Sequence, residues 1–225
     1  MSDAVSWKRA LSQKRFQIHL IISGVSAIFL ISFLPYFLYE ILLTKPGTLL
    51  NDVVLNHLEP RDWSWFIFGI IYMSVLLTVF SNYAKPFIIL LGIESYIALN
   101  LVRLATLYMV TLSPPRDIIP LIDPVITTIA YGDHVYLKDL FFSGHVSTLF
   151  LLFLIEKKKL AKIFLLTSTL AVAFLILWQH VHYTVDVLLA PLFSWAIYYV
   201  IKKVHTRHFP NTRAAIPYAD NAEAG

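Results

Sequence analysis

No cysteine occurs in the 225 residues. That excludes disulfides, thiolate nucleophiles and cysteine-bound zinc, and leaves the redox compartment open. Charge is also scarce. Asp, Glu, Lys and Arg make up 14% of the chain, against about a quarter in an average soluble domain. Hydrophobic residues make up 58%, and mean hydropathy is +0.69. Internal repeats and low-complexity segments are missing, as is any polar stretch long enough to fold separately. The first apolar block is too long for a cleaved signal peptide and lacks a small-residue cleavage site, so it is expected to remain as a span.

What the chain has is apolar blocks. Six of them, near 17–39, 63–80, 86–112, 140–156, 160–179 and 183–201, approach the roughly 20 residues that cross a bilayer. The expected fold is an all-α membrane protein of six transmembrane helices. Its parts are a basic segment at 1–16, a six-span domain at 17–205 and a polar tail at 206–225. Thirteen Lys and Arg fall on one side: Lys8, Arg9, Lys14, Arg15, Lys85, Lys157, Lys158, Lys159, Lys162, Lys202, Lys203, Arg207 and Arg213. The other side holds four, Lys45, Arg61, Arg116 and Lys138, beside eight acids. This excess assigns both termini to the cytoplasm. The net charge of +4 therefore reads as topology, not as a nucleic-acid surface. Trp7 among the first basic residues suggests a short stretch lying on the membrane. Trp63, Trp65 and Trp178 read as interfacial anchors. The prolines at 114, 115, 120 and 124 oppose a helix, so the loop 113–139 reads as a cover or gate over the first of two motifs.

Those motifs are Asp139-Leu-Phe-Phe-Ser143-Gly144-His145 and His180-Val-His182-Tyr183-Thr184-Val-Asp186. They lie 37 residues apart, counted from His145 to His182, yet the charge pattern brings both to the outer membrane side. His182 and Asp186 are four apart and can touch on a helix. A histidine held by a carboxylate, plus a second histidine, is a minimal set for phosphoryl transfer. Ionisable groups in a span are costly unless paired, so they are functional candidates by default. Ser143 and Gly144 before a helix start suit an anion. The bland readings are a helix cap for His145 and a structural pair for His182 and Asp186. Arg103, two to three turns from the outer end of the third span, suits a phosphate clamp; the alternative is a structural ion pair. Glu94, deeper in that span, is a candidate counter-ion to Arg103 or part of a polar path. Asp139 and His180 could tune a proton relay or be solvated loop residues.

The two motifs resemble those of the type 2 phosphatidic acid phosphatase (PAP2) superfamily, in its sphingomyelin synthase-related branch. Arg103-Leu-Ala-Thr106-Leu-Tyr108-Met-Val-Thr111-Leu-Ser-Pro114-Pro115 is similar to the motif closing the third span there. Arg-Pro and Ser-Arg pairs, common in the phosphatases of the superfamily, do not occur here, which favours the synthase-like branch. The proline-rich motif of animal sphingomyelin synthases has only Lys45-Pro46-Gly-Thr-Leu-Leu-Asn-Asp52 in its place. The resemblance implies a PAP2-like bundle that transfers a phospho-alcohol head group from a glycerophospholipid to a ceramide-like acceptor. His182 would be the nucleophile, oriented by Asp186, and His145 the acid and base. Arg103 and the backbone of Ser143 and Gly144 would hold phosphate. No metal or cofactor is expected, since His182 and Asp186 are too few ligands unless His145 joins them. Two readings stay beside it: a lipid phosphatase with water as acceptor, and a non-catalytic carrier or scaffold. A bacterial inner membrane is favoured, with Golgi or plasma membrane as alternatives and the site facing periplasm, lumen or exterior. A homo-oligomer stays open.

Overall fold

The computed structural model describes residues 6–42, 44–123 and 137–210. Most of the polar tail and the second half of the 113–139 loop lie outside the described residues. The order of α-helices is α1 (Trp7–Leu11), α2 (Lys14–Tyr36), α3 (Ser64–Asn82), α4 (Pro86–Met109), α5 (Gly144–Ile155), α6 (Lys159–Trp178) and α7 (Thr184–His208). Among the described residues there is one isolated parallel bridge, Thr48 with Leu112, and no β-strand. A bilayer offers the backbone no hydrogen bonds, so apolar segments satisfy their own as helices.

Among the described residues five helices, α2 (extending to Glu40), α3, α4, α6 and α7, are long and apolar enough to cross a membrane. This is the build of a multi-pass membrane protein. The fourth expected span differs. Its helix, α5, has 12 residues, about 18 Å, which is short of a full hydrocarbon core. The reason is local: residues 139–143 are not helical, because they are drawn into contacts with α4 and α7 described below. Elsewhere the ends follow their residues. Pro86 sits at the start of α4, where its missing N–H costs nothing. Pro35 lies inside α2, and a π-turn, Phe37–Leu42, follows it, as expected where a proline upsets the hydrogen-bond ladder.

The short α5 is the middle of the bundle, packed against α3, α4, α6 and α7. Its Val146, Leu149, Leu151 and Leu154 meet Ile67, Leu91, Leu99, Val172, Ile176 and Val187 in one apolar core. Helix α2 is peripheral, packed chiefly on α4, and Ile21, Val25, Ile28 and Ile31 face outward, where lipid tails would cover them. Two further seams tie α5 to α7. The Ser143 N–H donates to the Asp186 carbonyl at 3.2 Å, and the Ser194 hydroxyl donates to the Ser147 carbonyl at 2.9 Å.

Candidate active site

The beginning of α7 is set by its own residues. Tyr183 N–H donates to Asp186 Oδ2 at 3.1 Å, and Asp186 N–H donates back to the Tyr183 carbonyl at 3.1 Å. This reciprocal cap satisfies two backbone groups and puts a carboxylate at the positive end of the helix dipole. His182 stands just before the first turn, 1% exposed, and Asp186 is fully buried. Their approach is 3.6 Å from Nδ1 to Oδ2. That is ion-pair range, longer than a hydrogen bond; the same Oδ2 accepts the Tyr183 N–H of the cap.

His145 comes to the same place from the start of α5. Its ring centroid is 6.5 Å from that of His182, with Phe68 edge-on at 5.7 Å. Phe142 stacks on Phe193 at 4.3 Å and adds an apolar wall. Arg103 arrives from α4, 6% exposed. Its Nη2 donates to Asp139 at 2.6 Å, and its Nε donates to the Phe142 carbonyl at 3.1 Å. The guanidinium lies so close to Gly144 that a Cβ there would sit 2.7 Å from Cζ and Nη1. Only glycine allows this approach.

Ser143, Gly144, His145, His182, Asp186, Arg103 and Asp139 thus converge on one spot. Four polar atoms in it are buried with no hydrogen-bond partner among the described residues: Ser143 Oγ, His145 Nδ1, His182 Nδ1 and Asp186 Oδ1. Unsatisfied buried polar groups are costly and rare, and four from two motifs mark a place shaped for something else to bind.

Three of the candidate groups have other partners. Glu94 is not the counter-ion of Arg103; that part belongs to Asp139, and Glu94 pairs with His19 and His205, nine residues and about 13 Å along the helix from Arg103. His180 has both ring nitrogens 3.1 Å from carbonyls, those of Arg116 and Leu58, so its partners are loop backbone and not His182. The Ser143 N–H is spent on Asp186, which leaves the Ser143 hydroxyl and the first N–H groups of α5 to face an anion.

Sequence reasoning missed three supports. Asp52 accepts from the Thr184 N–H at 2.6 Å and from the Thr184 hydroxyl at 2.9 Å. Burial raises the Asp52 pKa, but the Thr184, Leu55 and Val54 hydrogen bonds outweigh that and leave it below its ordinary value. The Tyr183 hydroxyl donates to the Ser113 carbonyl at 2.9 Å and accepts from the Leu50 N–H at 3.3 Å. Gln179, fully buried, accepts from the Trp63 N–H and donates to Ser64 Oγ. Beside His180 and Tyr183 a polar cavity of about 780 Å³ opens between residues 49–60 and 115–117. Among the described residues no group of His, Asp or Glu is arranged to hold a metal ion.

Residues 138–204 match the family model of the PAP2 superfamily C-terminal domain. That stretch contains both histidine motifs and Asp139. The match supports the PAP2 superfamily and, with it, a lipid enzyme of the phosphatase or phosphotransferase kind. No curated protein matches the sequence significantly. Arg103 and Asp52 lie before the matched residues, so their place in the site rests on the contacts above.

Proposed function

We propose that the protein is an integral membrane phosphotransferase, similar to sphingomyelin and ceramide phosphoethanolamine synthases. It moves a phospho-alcohol head group from a glycerophospholipid to a ceramide-like acceptor on the outer membrane face. The observation that carries the reading is the set of four unpartnered buried polar atoms from the two motifs, facing a guanidinium held by Asp139.

Asp186 lies nearest Nδ1 of His182, so Nε2 is the attacking nitrogen and the carboxylate favours the tautomer with hydrogen on Nδ1. Nε2 forms a bond to phosphorus as the bond from phosphorus to the diacylglycerol oxygen breaks. His145 gives its proton to that oxygen. In the second half, the acceptor hydroxyl oxygen attacks phosphorus, its proton passes to His145, and the bond to His182 breaks. Arg103, the Ser143 hydroxyl and the first N–H groups of α5 hold the phosphoryl oxygens where charge develops. The apolar walls at Phe68, Phe142 and Phe193 keep the site dry, which protects a phosphohistidine from water.

The polar cavity beside Tyr183 and His180 favours a second reading, a lipid phosphatase in which water is the acceptor. One experiment separates them. Purified protein in detergent–lipid micelles receives phosphatidylcholine or phosphatidylethanolamine labelled in the head group, with and without ceramide. Label in a ceramide product, absent without ceramide and absent in His182→Ala, is the expected result. Label released to water regardless of ceramide would replace the transferase with a hydrolase. Unchanged turnover in His182→Ala would remove the nucleophile.

A further inference from the structure

A second polar cluster sits at the opposite end of the bundle and takes no part in the site above. Helices α2 and α4 begin there and α7 ends there. His19 Nδ1 is 2.6 Å from Glu94 Oε1, and His205 Nδ1 is 2.7 Å from Glu94 Oε2. His208 Nδ1 is 3.0 Å from His19 Nε2. In neutral tautomers His205 and His19 each donate from Nδ1 to one carboxylate oxygen and His208 donates to His19, while His205 Nε2 is buried with no partner among the described residues. Each Glu94 oxygen then accepts one hydrogen bond and keeps a second acceptor position.

Glu94 and His19 are the polar end of a groove of about 230 Å³ between α2 and α4. Its walls are His19, Ile22, Ser23 and Ser26 on α2, facing Glu94, Ile97, Ala98 and Leu101 on α4. Both sets follow the spacing i, i+3, i+4, i+7, one face of each helix over two turns, about 10 Å. The groove therefore changes along its length, from a carboxylate and an imidazole to the aliphatic Ile97, Ala98 and Leu101 of α4 facing Ile22, Ser23 and Ser26 of α2. The Glu94 and His19 side chains are 15% and 24% exposed, open to whatever fills it. A carboxylate that faces hydrocarbon with a spare acceptor position is costly unless a donor reaches it.

We propose that this groove binds an uncharged lipid whose head carries a hydroxyl donor, a diacylglycerol-like molecule, in the leaflet opposite the active site. The hydroxyl donates to Glu94, and the first part of one acyl chain lies along Ile97, Ala98 and Leu101. Charge selects the class. The Glu94 carboxylate repels a phosphate head, and its two imidazole partners are already committed to it and to each other. The volume suits a three-carbon hydroxyl head with the start of one chain, the remainder lying in the bilayer. The proposal is independent of which head group the active site transfers.

The test uses full-length His182→Ala protein in nanodiscs, so that turnover plays no part, with diacylglycerol bearing a photoreactive acyl chain. The expected label lies on residues 19–26 or 94–101. It should be competed by unlabelled diacylglycerol and not by phosphatidic acid. Ala98→Leu and Ser26→Leu fill the groove from opposite walls without touching the hydrogen-bonded chain. Each should cut that label at least fivefold at an unchanged Tm. Glu94→Gln should weaken it while leaving the groove open. Undiminished label in both filled variants, label confined to other segments, or phosphatidic acid competing as well as diacylglycerol would each overturn the proposal.

Discussion

Gly144→Ala is the smallest change that tests how the site is assembled. The added Cβ would sit 2.7 Å from Arg103 Cζ and Nη1 and 3.0 Å from Nη2. Ordinary contact begins near 3.4 Å, so something must move by about 0.7 Å. A guanidinium at the end of a free side chain would swing aside at little cost. This one is 6% exposed and held by bonds of 2.6 Å to Asp139 and 3.1 Å to the Phe142 carbonyl. A shift of that size breaks or badly stretches one of them. A hydrogen bond to a charged group contributes about 1.5–3 kcal/mol, so a loss of about 2 kcal/mol is expected. If the same contact holds the transition state, turnover falls about 30-fold. The assay is label transfer from the head-group-labelled donor, with Tm measured beside it. A double-mutant cycle isolates the cause. In an Arg103→Ala background the added methyl meets no guanidinium, so Gly144→Ala should cost almost nothing further in Tm. The coupling between the two positions should be about 2 kcal/mol. Additive effects, or a Gly144→Ala protein with wild-type turnover and Tm, would mean that Arg103 does not lie where the site needs it.

Asp186→Asn can keep the Tyr183 cap but removes the charge beside His182, and it is expected to lower turnover by about 10³-fold with little change in Tm; a loss under tenfold would refute the orienting role. Tyr183→Phe strands the Leu50 N–H and the Ser113 carbonyl, at about 1–3 kcal/mol, and should lower Tm by several degrees, whereas an unchanged Tm would show that the hydroxyl does not hold these segments. Asp52→Asn tests the pH dependence of the same clamp. The native Asp52 pKa lies below its ordinary 3.8, so the carboxylate stabilises the fold fully above that value, and the benefit is lost as pH falls through the lowered one. The wild type should be more stable than Asp52→Asn at neutral pH, and the gap should close as pH falls below 3.8 and through the lowered native value; a gap that widens in acid would contradict the assignment.

The blocks of apolar residues, the Lys and Arg bias and the two motifs were enough to bring His145, His182, Asp186 and Arg103 to one end of the bundle. Hydropathy and charge report where a helix lies and which end is which. They carry nothing about rotation around the helix axis, and partner choice between helices depends on that rotation. Hence Glu94 stayed open between a counter-ion to Arg103 on the same helix and part of a polar path, while each faces different neighbours: Asp139 for Arg103, His19 and His205 for Glu94. The length of α5 was hidden for a related reason. Residues 140–156 are apolar enough to read as one span, but the helix waits until Gly144 because Ser143 is bonded to Asp186 and the Phe142 carbonyl to Arg103. Both bonds come from residues about 40 positions away. The same turn carries the Ser143 hydroxyl into the interior beside the guanidinium of Arg103, where it is buried with no partner among the described residues. The features that end the helix early are therefore also the ones that bring Arg103, Ser143 and Gly144 together at its start.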